Sequence, residues 1–288
     1  MKCWHHNDMD GRAAAAVVFK WYTPHGKADQ STGSDDIQFI EIDYKKDPDF
    51  SKVAKGEKVI IVDFSFKPEV MDKLMLKTKN IIWVDHHESA KDYPYDKTLD
   101  GLRDFKPKHM AGCELAWKYF FPDVDAPVAI RLIGDYDKFA LEYKNSTNFY
   151  EGLKTYPHMP TAGIWGQLLE PNAAEKVSDI IDEGVKCIEY RDAYCVERLK
   201  ADGYDVEFEG LKCKALNVYG FGSLTFKSVI DNYDAVIAYI HDGSKYTVSM
   251  YSDRDDIDVS KICQKHGGGG HFSAAGYTCT ELPFKPAK

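Results

Sequence analysis

Residues 58–87 run KVIIVDFSFKPEVMDKLMLKTKNIIWVDHH, and the fold class turns on how they are read. Lys58–Phe64 and Asn80–Asp85 are short runs of Val, Ile, Trp and Phe, the composition of strands buried on both faces. Between them Pro68–Lys77 has helix-like apolar spacing, with its proline near the start, where a missing amide is tolerated. Working outward, Lys2–Asn7 and Ile37–Asp43 are further strand candidates, with a helical pattern at Gly11–Tyr22. Helices are expected at Gly112–Phe121 and around Ala126–Gly134. Alternation of this kind predicts an α/β domain whose doubly wound, mostly parallel sheet carries helices on both faces.

Beyond this half, Pro157–Pro171 is rich in Pro and Gly, and Ala173–Lys200 has the pattern of a long helix. Its apolar residues Val177, Ile180, Ile181, Val185, Ile188 and Tyr194 recur at roughly helical spacing. Gly184 is unfavourable there, and Asp202-Gly203 ends the pattern. Short strands follow at Asp205–Phe208, Lys212–Asn217, Ala235–His241 and Tyr246–Tyr251, then a helix at Val259–Lys265 and a glycine run. The expected organisation is a sheet domain over 1–170, a helical linker over 171–204 that sets the cleft, and a smaller C-terminal α/β domain over 205–288.

Composition bounds the function. With 44% hydrophobic residues the 288-residue chain can bury a core. The longest apolar run, Ala13–Phe19, falls short of the roughly 20 residues a membrane helix needs. Met1–Trp4 shows no basic or apolar leader, so a cytoplasmic protein is expected. Seven scattered cysteines with no C-x-x-C pair suit reduced thiols in a reducing compartment. A net charge of −9 repels phosphate backbones, which argues against duplex or long nucleic acid as a partner. An anionic substrate would need metal ions or a local basic pocket.

The polar residues fall where such ions could sit. His6, Asp8 and Asp10 are spaced by two, just past the first strand and before the helix at Gly11. Asp63 ends the strand KVIIVD, and Asp85, His86 and His87 end NIIWVD. Open parallel sheets bind ligands beyond the carboxyl ends of their strands. Carboxylates converging there cannot all stay ionised without a cation. Aspartate and histidine without thiolate suit Mn²⁺, Fe²⁺ or Mg²⁺. The number of candidates suits two ions about 3.5–4 Å apart, bridged by one carboxylate. Individually, Asp8 could be a helix cap, Asp63 a loop carboxylate and the histidines surface residues. Three clusters at three strand ends favour one shared site.

HHNDMDG (5–11), the isolated Asp63, VDHH (84–87) and IGDYDKF (133–139) together resemble the DHH phosphoesterase superfamily. GGGGHFSAAG (267–276) resembles the associated C-terminal substrate domain. The likeness covers nearly the whole chain and is nearest the oligoribonuclease (nanoRNase) and cyclic-nucleotide phosphodiesterase-like branch. It implies two divalent ions, foremost Mn²⁺, with Fe²⁺, Co²⁺ and Mg²⁺ as alternatives. His6 and Asp8 would ligate the first ion and Asp10, His86 and Asp135 the second, with Asp63 bridging. Asp137 is the weaker candidate, because the family ligand is the first acid of its motif. Asp85 would orient a histidine through its ring N–H, and His87 would face the substrate phosphate, binding it or assisting proton transfer.

The same resemblance assigns Gly268, Gly269, Gly270 and His271 to substrate binding, with backbone amides pointing at phosphate oxygens. A flexible linker is the alternative, and Phe272 stands where many relatives have proline. Arg254 is a candidate phosphate contact or, among Asp253, Asp255 and Asp256, a surface ion pair. Lys108 and His109 would face the cleft or sit in a solvated loop. Among Tyr219, Phe221, Tyr239 and Tyr251, one residue could stack on a base, and most are expected in the core. The implied activity is 3′–5′ oligoribonuclease-type hydrolysis of short oligonucleotides, nanoRNA or linear dinucleotides, to nucleoside monophosphates. Alternatives are a cyclic-nucleotide phosphodiesterase, a 3′-phosphonucleotide phosphatase, or a nucleotide-binding sensor without catalysis. The expected partner is short single-stranded RNA or a dinucleotide, with neither membrane nor duplex, and a homodimer is a candidate state.

Overall fold

The computed structural model describes residues 1–23, 37–45, 47–95 and 97–286, and the chain divides into two compact units, Met1–Cys187 and Ile188–Lys288. The first unit begins β1 (Lys2–His6), α1 (Met9–Tyr22), β2 (Gln38–Ile42), β3 (Val59–Val62), α2 (Pro68–Met75) and β4 (Ile81–Val84). Among the described residues its four strands are all parallel, in the order β2-β1-β3-β4. Alternate side chains go to opposite faces, as the strand period of two requires. Ile60, Val62, Ile82 and Val84 join one core, and Val59, Ile61, Ile81 and Trp83 join the other. Met71 and Leu74 of α2 cover the second face.

The first face is covered by α1, α3 (Gly112–Phe120), α4 (Val128–Asp137), α5 (Ser146–Leu153), α6 (Trp165–Leu168) and the start of α7 (Ala174–Asp202). Every residue from Ala13 to Val18 is buried, so this stretch of α1 is apolar all round and its small side chains allow close approach to α3. Helices α5 and α6 were not foreseen. They lie in stretches where glycine, proline and polar residues mask the apolar period.

The division between the units falls inside α7. The second unit has β5 (Tyr204–Phe208), β6 (Leu211–Asn217), β7 (Ala235–His241), β8 (Tyr246–Tyr251), α8 (Val259–Lys265), β9 (Gly269–His271) and β10 (Ala274–Cys279). The sheet order is β5-β6-β7-β8-β10-β9, antiparallel except for β6 with β7. All seven cysteines are free thiols, five of them buried. No described helix is long and apolar enough to cross a membrane.

Gly184, unfavourable in a helix by propensity, is explained by packing. A Cβ there would lie 1.7 Å from the Asn148 carbonyl oxygen, and one on Gly152 would lie 1.9 Å from that of Ile180. Two glycines thus let α5 and the first half of α7 approach backbone to backbone. Gly184→Ala is expected to destabilise the protein by about 1–3 kcal/mol despite alanine's better helix propensity, read as a lower thermal midpoint. An unchanged or raised midpoint would show that this contact is not tight in solution.

Candidate metal centre

The chain passes from β1 to β2 on one side and then returns to β3 on the other, so the order reverses at the β1/β3 boundary. This is where open α/β sheets bind ligands. His5 pairs with Val62 and Val62 with Val84, which brings His6, Asp63 and Asp85 level at the carboxyl edge. Three groups of side chains offer ligand atoms within 4.8 Å of one another: His6, Asp8 and Asp63; Asp10, His86 and Asp137; and Asp63, His86 and His87. Asp63 is common to the first and third groups, and His86 to the second and third.

Asp63 has the most constrained position. It is 1% exposed, neither carboxylate oxygen has a hydrogen-bond partner, and its backbone is left-handed at φ 53°. A left-handed conformation at a non-glycine residue costs roughly 1–2 kcal/mol. Burial first, and then the charges of Asp10, Asp8, Asp137 and Asp85, drive its carboxyl far above the ordinary carboxylate range. Room for it comes from Gly112, where a Cβ would fall 2.5 Å from that of Asp63. A buried carboxylate with two orphaned oxygens fits a cation well, and so does its all-oxygen and imidazole surrounding.

The neighbours are held more conventionally. Asp8 caps α1, its Oδ1 accepting from the Gly11 amide at 2.9 Å, while its Oδ2 lies 2.5 Å from His6 Nδ1. Asp8 therefore caps the helix and lies beside His6 at once. Asp10 accepts from the amides of Gly112 at 2.7 Å and Cys113 at 2.9 Å, the open N-terminus of α3. His86 Nε2 lies 3.1 Å from Asp63, 3.7 Å from Asp10 and 3.6 Å from Asp137.

The fourth motif requires a correction. Asp135 does not face the cluster. Its carboxylate is buried and accepts from the amides of Glu142 (2.9 Å) and Tyr143 (3.0 Å) and from the Ser146 hydroxyl. These bonds outweigh desolvation and hold it below the usual carboxylate range. Asp137 is the acid that joins Asp10 and His86. Burial first, and then the charges of Asp10 and Asp8, push it up to about 8.

Asp85 is fully buried and orients His87, not His86: His87 Nδ1 lies 2.7 Å from Asp85 Oδ1, and the Ser65 hydroxyl donates to Asp85 Oδ2. Burial disfavours the imidazolium, but the hydrogen bond and charge of Asp85, with Asp10 and Asp137 behind it, push His87 up to about 9. Ser65 was missed, having no signal in sequence beyond its place after Asp63. His109 is exposed and paired with Asp104 in the loop leading to α3.

In the second unit the glycine run closes α8 and enters β9. The amides of Gly267 and Gly268 donate to the carbonyls of Gln264 (3.0 Å) and Cys263 (2.9 Å), closing the end of α8. Gly267 supplies the positive φ of 77° this cap needs. The Gly268 amide is thus used by the helix, and Gly269, Gly270 and His271 form β9, which pairs with β10 and stands at the edge of the sheet. His271 itself is exposed. Arg254 is engaged by carboxylates, to Asp256 at 3.0 and 2.8 Å and to Asp234 at 2.7 Å, which realises the ion-pair alternative. Tyr239 packs against the core, whereas Tyr219 is 82% exposed.

No protein-family profile matches the chain. A curated relative, an uncharacterized protein R106 of Acanthamoeba polyphaga mimivirus, is 26% identical over 289 residues, 95% of this chain. The chain spans 66% of that protein's length. Among solved structures, PggH from Vibrio, a pGpG-specific phosphodiesterase, aligns over 97% of this chain and 92% of its own at TM-score 0.54 and 14% identity. The DHH domain of PF0399, described as a member of a family of ribosomal proteins, aligns over 96% and 81% at TM-score 0.58 and 15% identity. An exonuclease RecJ bound to manganese aligns over 96% and 84% at TM-score 0.51 and 13% identity.

The two acids of IGDYDKF should separate experimentally. Asp137→Asn is expected to abolish the rise in thermal midpoint that Mn²⁺ produces while keeping the fold. Asp135→Asn should lower the metal-free midpoint by about 1–3 kcal/mol of stability, by unpairing buried donors, and keep the Mn²⁺ response. The reverse outcome would return the ligand role to Asp135. Titration supplies a second check. Asp137 stands at about 8 against an ordinary 3.8, and His87 at about 9 against 6.5. Each raised group binds more protons when folded, so metal-free stability should fall as pH rises, across about pH 4–8 for Asp137 and pH 6.5–9 for His87. In chelator the thermal midpoint should therefore decline steadily over this range, and saturating Mn²⁺ should flatten it. A flat metal-free profile would contradict the convergence of charge described above.

Proposed function

We propose that this chain, whose fold is that of the DHH-domain proteins, is a divalent-metal-dependent phosphodiesterase that hydrolyses linear dinucleotides and other short oligonucleotides to nucleoside monophosphates. The observation that carries the reading is the convergence of seven ligand-bearing side chains in three groups linked through Asp63 and His86, with both buried Asp63 oxygens lacking a hydrogen-bond partner. The PggH neighbour, named for a linear dinucleotide, and the manganese-bound RecJ neighbour support this chemistry over other uses of the fold.

His6 and Asp8 would hold one cation and Asp10, His86 and Asp137 the other, with Asp63 between them. When bound, such a pair supplies Lewis acidity and water of lowered pKa for attack on phosphorus. Mn²⁺ suits the mixed carboxylate and imidazole donors. His87 then has a distinct task. Asp85 holds its Nδ1 proton, which leaves Nε2–H to donate to a phosphate oxygen or to the departing alkoxide. Cations held beside it would disfavour the imidazolium, while the Asp85 hydrogen bond favours it. The net charge of −9 favours short substrates, because a long backbone would meet repulsion beyond the site.

A panel of Mn²⁺, Mg²⁺ and Co²⁺ against linear dinucleotides, cyclic nucleotides and 3′-phosphorylated nucleotides tests the reading. Metal-dependent release of nucleoside monophosphates from dinucleotides is expected, with Mn²⁺ most effective. Release of inorganic phosphate would identify a phosphatase instead, and nucleotide binding without turnover a sensor. Asp63→Asn keeps the side-chain shape and an amide tolerated in left-handed backbone. It should cut turnover by at least about a thousandfold. Retained metal-dependent turnover in this variant would defeat the assignment.

A further inference from the structure

Tyr44 follows β2 by two residues and has no part in the chemistry above. Its ring stacks on Phe64, with centroids 4.5 Å apart at 27°, and lies 5.7 Å from His6 and 5.8 Å from His87. Phe64 is 3% exposed, whereas Tyr44 is 52% exposed. The support beneath is rigid. Phe64 meets Phe66 edge-on at 5.3 Å, and Phe66 is packed in turn by Trp4 and Phe50. A large aromatic is thus held on a fixed aromatic base, next to two imidazoles of the candidate centre, with half its surface in solvent. Phe64 belongs to the buried core, and Tyr44 lies above it with its hydroxyl held by the Ser65 backbone.

We propose that the exposed ring of Tyr44 is a stacking platform for a nucleobase of the substrate, placed one sugar away from the phosphate at the metal centre. The inference rests on the phosphodiesterase reading and narrows it to substrates that carry an aromatic base. Stacking is the interaction a half-exposed ring on a rigid support can offer, and it rewards a planar π-system where a bare sugar phosphate or polyphosphate gains nothing. Every base has a π-face, so the platform recognises a nucleotide without selecting among bases. It also lets an acidic protein hold a short anionic substrate without a basic groove.

The test uses equilibrium binding to the Mn²⁺-loaded protein, measured by calorimetry with adenosine 5′-monophosphate and ribose 5-phosphate. Wild type should bind the nucleotide more tightly than the sugar phosphate. Tyr44→Ala should weaken the nucleotide by about 5- to 150-fold, leave the sugar phosphate unchanged, and raise KM for a dinucleotide more than it lowers kcat. Tyr44→Phe should behave as wild type. Equal wild-type affinity for the two ligands overturns the proposal, as does a Tyr44→Phe variant as impaired as Tyr44→Ala, which would assign the effect to the hydroxyl. Loss of the Mn²⁺-induced rise in thermal midpoint in Tyr44→Ala also overturns it, because the ring would then support the centre and not the substrate. Failure of the phosphodiesterase reading shows separately, as a wild type that prefers the nucleotide yet hydrolyses no phosphoester with any metal.

Discussion

One buried carboxylate organises the first unit. Asp63 leaves β3 in a left-handed turn, loses both hydrogen-bonding oxygens to an enclosed space, and faces four other acids. Each of these features is unfavourable in the chain alone. Together they make sense if a cation completes the arrangement, because burying a carboxylate without a partner costs far more than a surface fold can spare. Gly112 keeps the space open, and the amides at the start of α3 fix Asp10 beside it. The parallel sheet brings the parts together: register alone sets His6, Asp63 and Asp85 at one edge.

The acids of this region divide by whether the protein satisfies them. Asp135 takes three donors and is depressed; Asp85 holds His87 and accepts from Ser65; Asp63 and Asp137 lack such donors and are raised. The same sorting applies in the second unit, where the Gly268 amide and the Arg254 guanidinium already have intramolecular partners. Asp8 and Asp10 stand between, accepting backbone amides while lying with the cluster. A carboxylate left open in a buried place is available to a ligand.

This division also marks how far sequence could reach. Strand positions were legible because a two-sided buried strand is a continuous apolar run, and the clusters at strand ends followed from that. The order of the motif put Asp135 ahead of Asp137, but the two stand two positions apart on α4, which turns them roughly 200° from each other. Which one meets the cluster is decided by the packing of Ile130 and Ile133, a tertiary fact. The glycine run was ambiguous for a similar reason: glycine serves a helix end as readily as an anion cradle, and the helix-closing part at Gly267 and Gly268 shows only in the hydrogen bonds. β10 was hidden in a small-residue stretch whose alternation, Ala275 and Tyr277 inward, depends on its pairing to β8. Tyr44 carried no signal, because an aromatic after an edge strand is ordinary until Phe64 is seen beneath it.

The unsatisfied acids tie the stability of the fold to what binds them. A domain of this kind has a net stability of about 5–15 kcal/mol. A ligand held at a hundred times its dissociation constant adds about 2.7 kcal/mol, and two independent ions about twice that. Cations held by these residues would therefore supply a substantial share of the net stability, the share that the metal-free chain forgoes through the strain at Asp63 and the mutual repulsion around it. Replacing these acids with neutral residues would ease the metal-free fold and remove its capacity for cations in one step. With cations held there, the strained, crowded edge of the sheet would be stability set aside in the empty chain and recovered in the bound one.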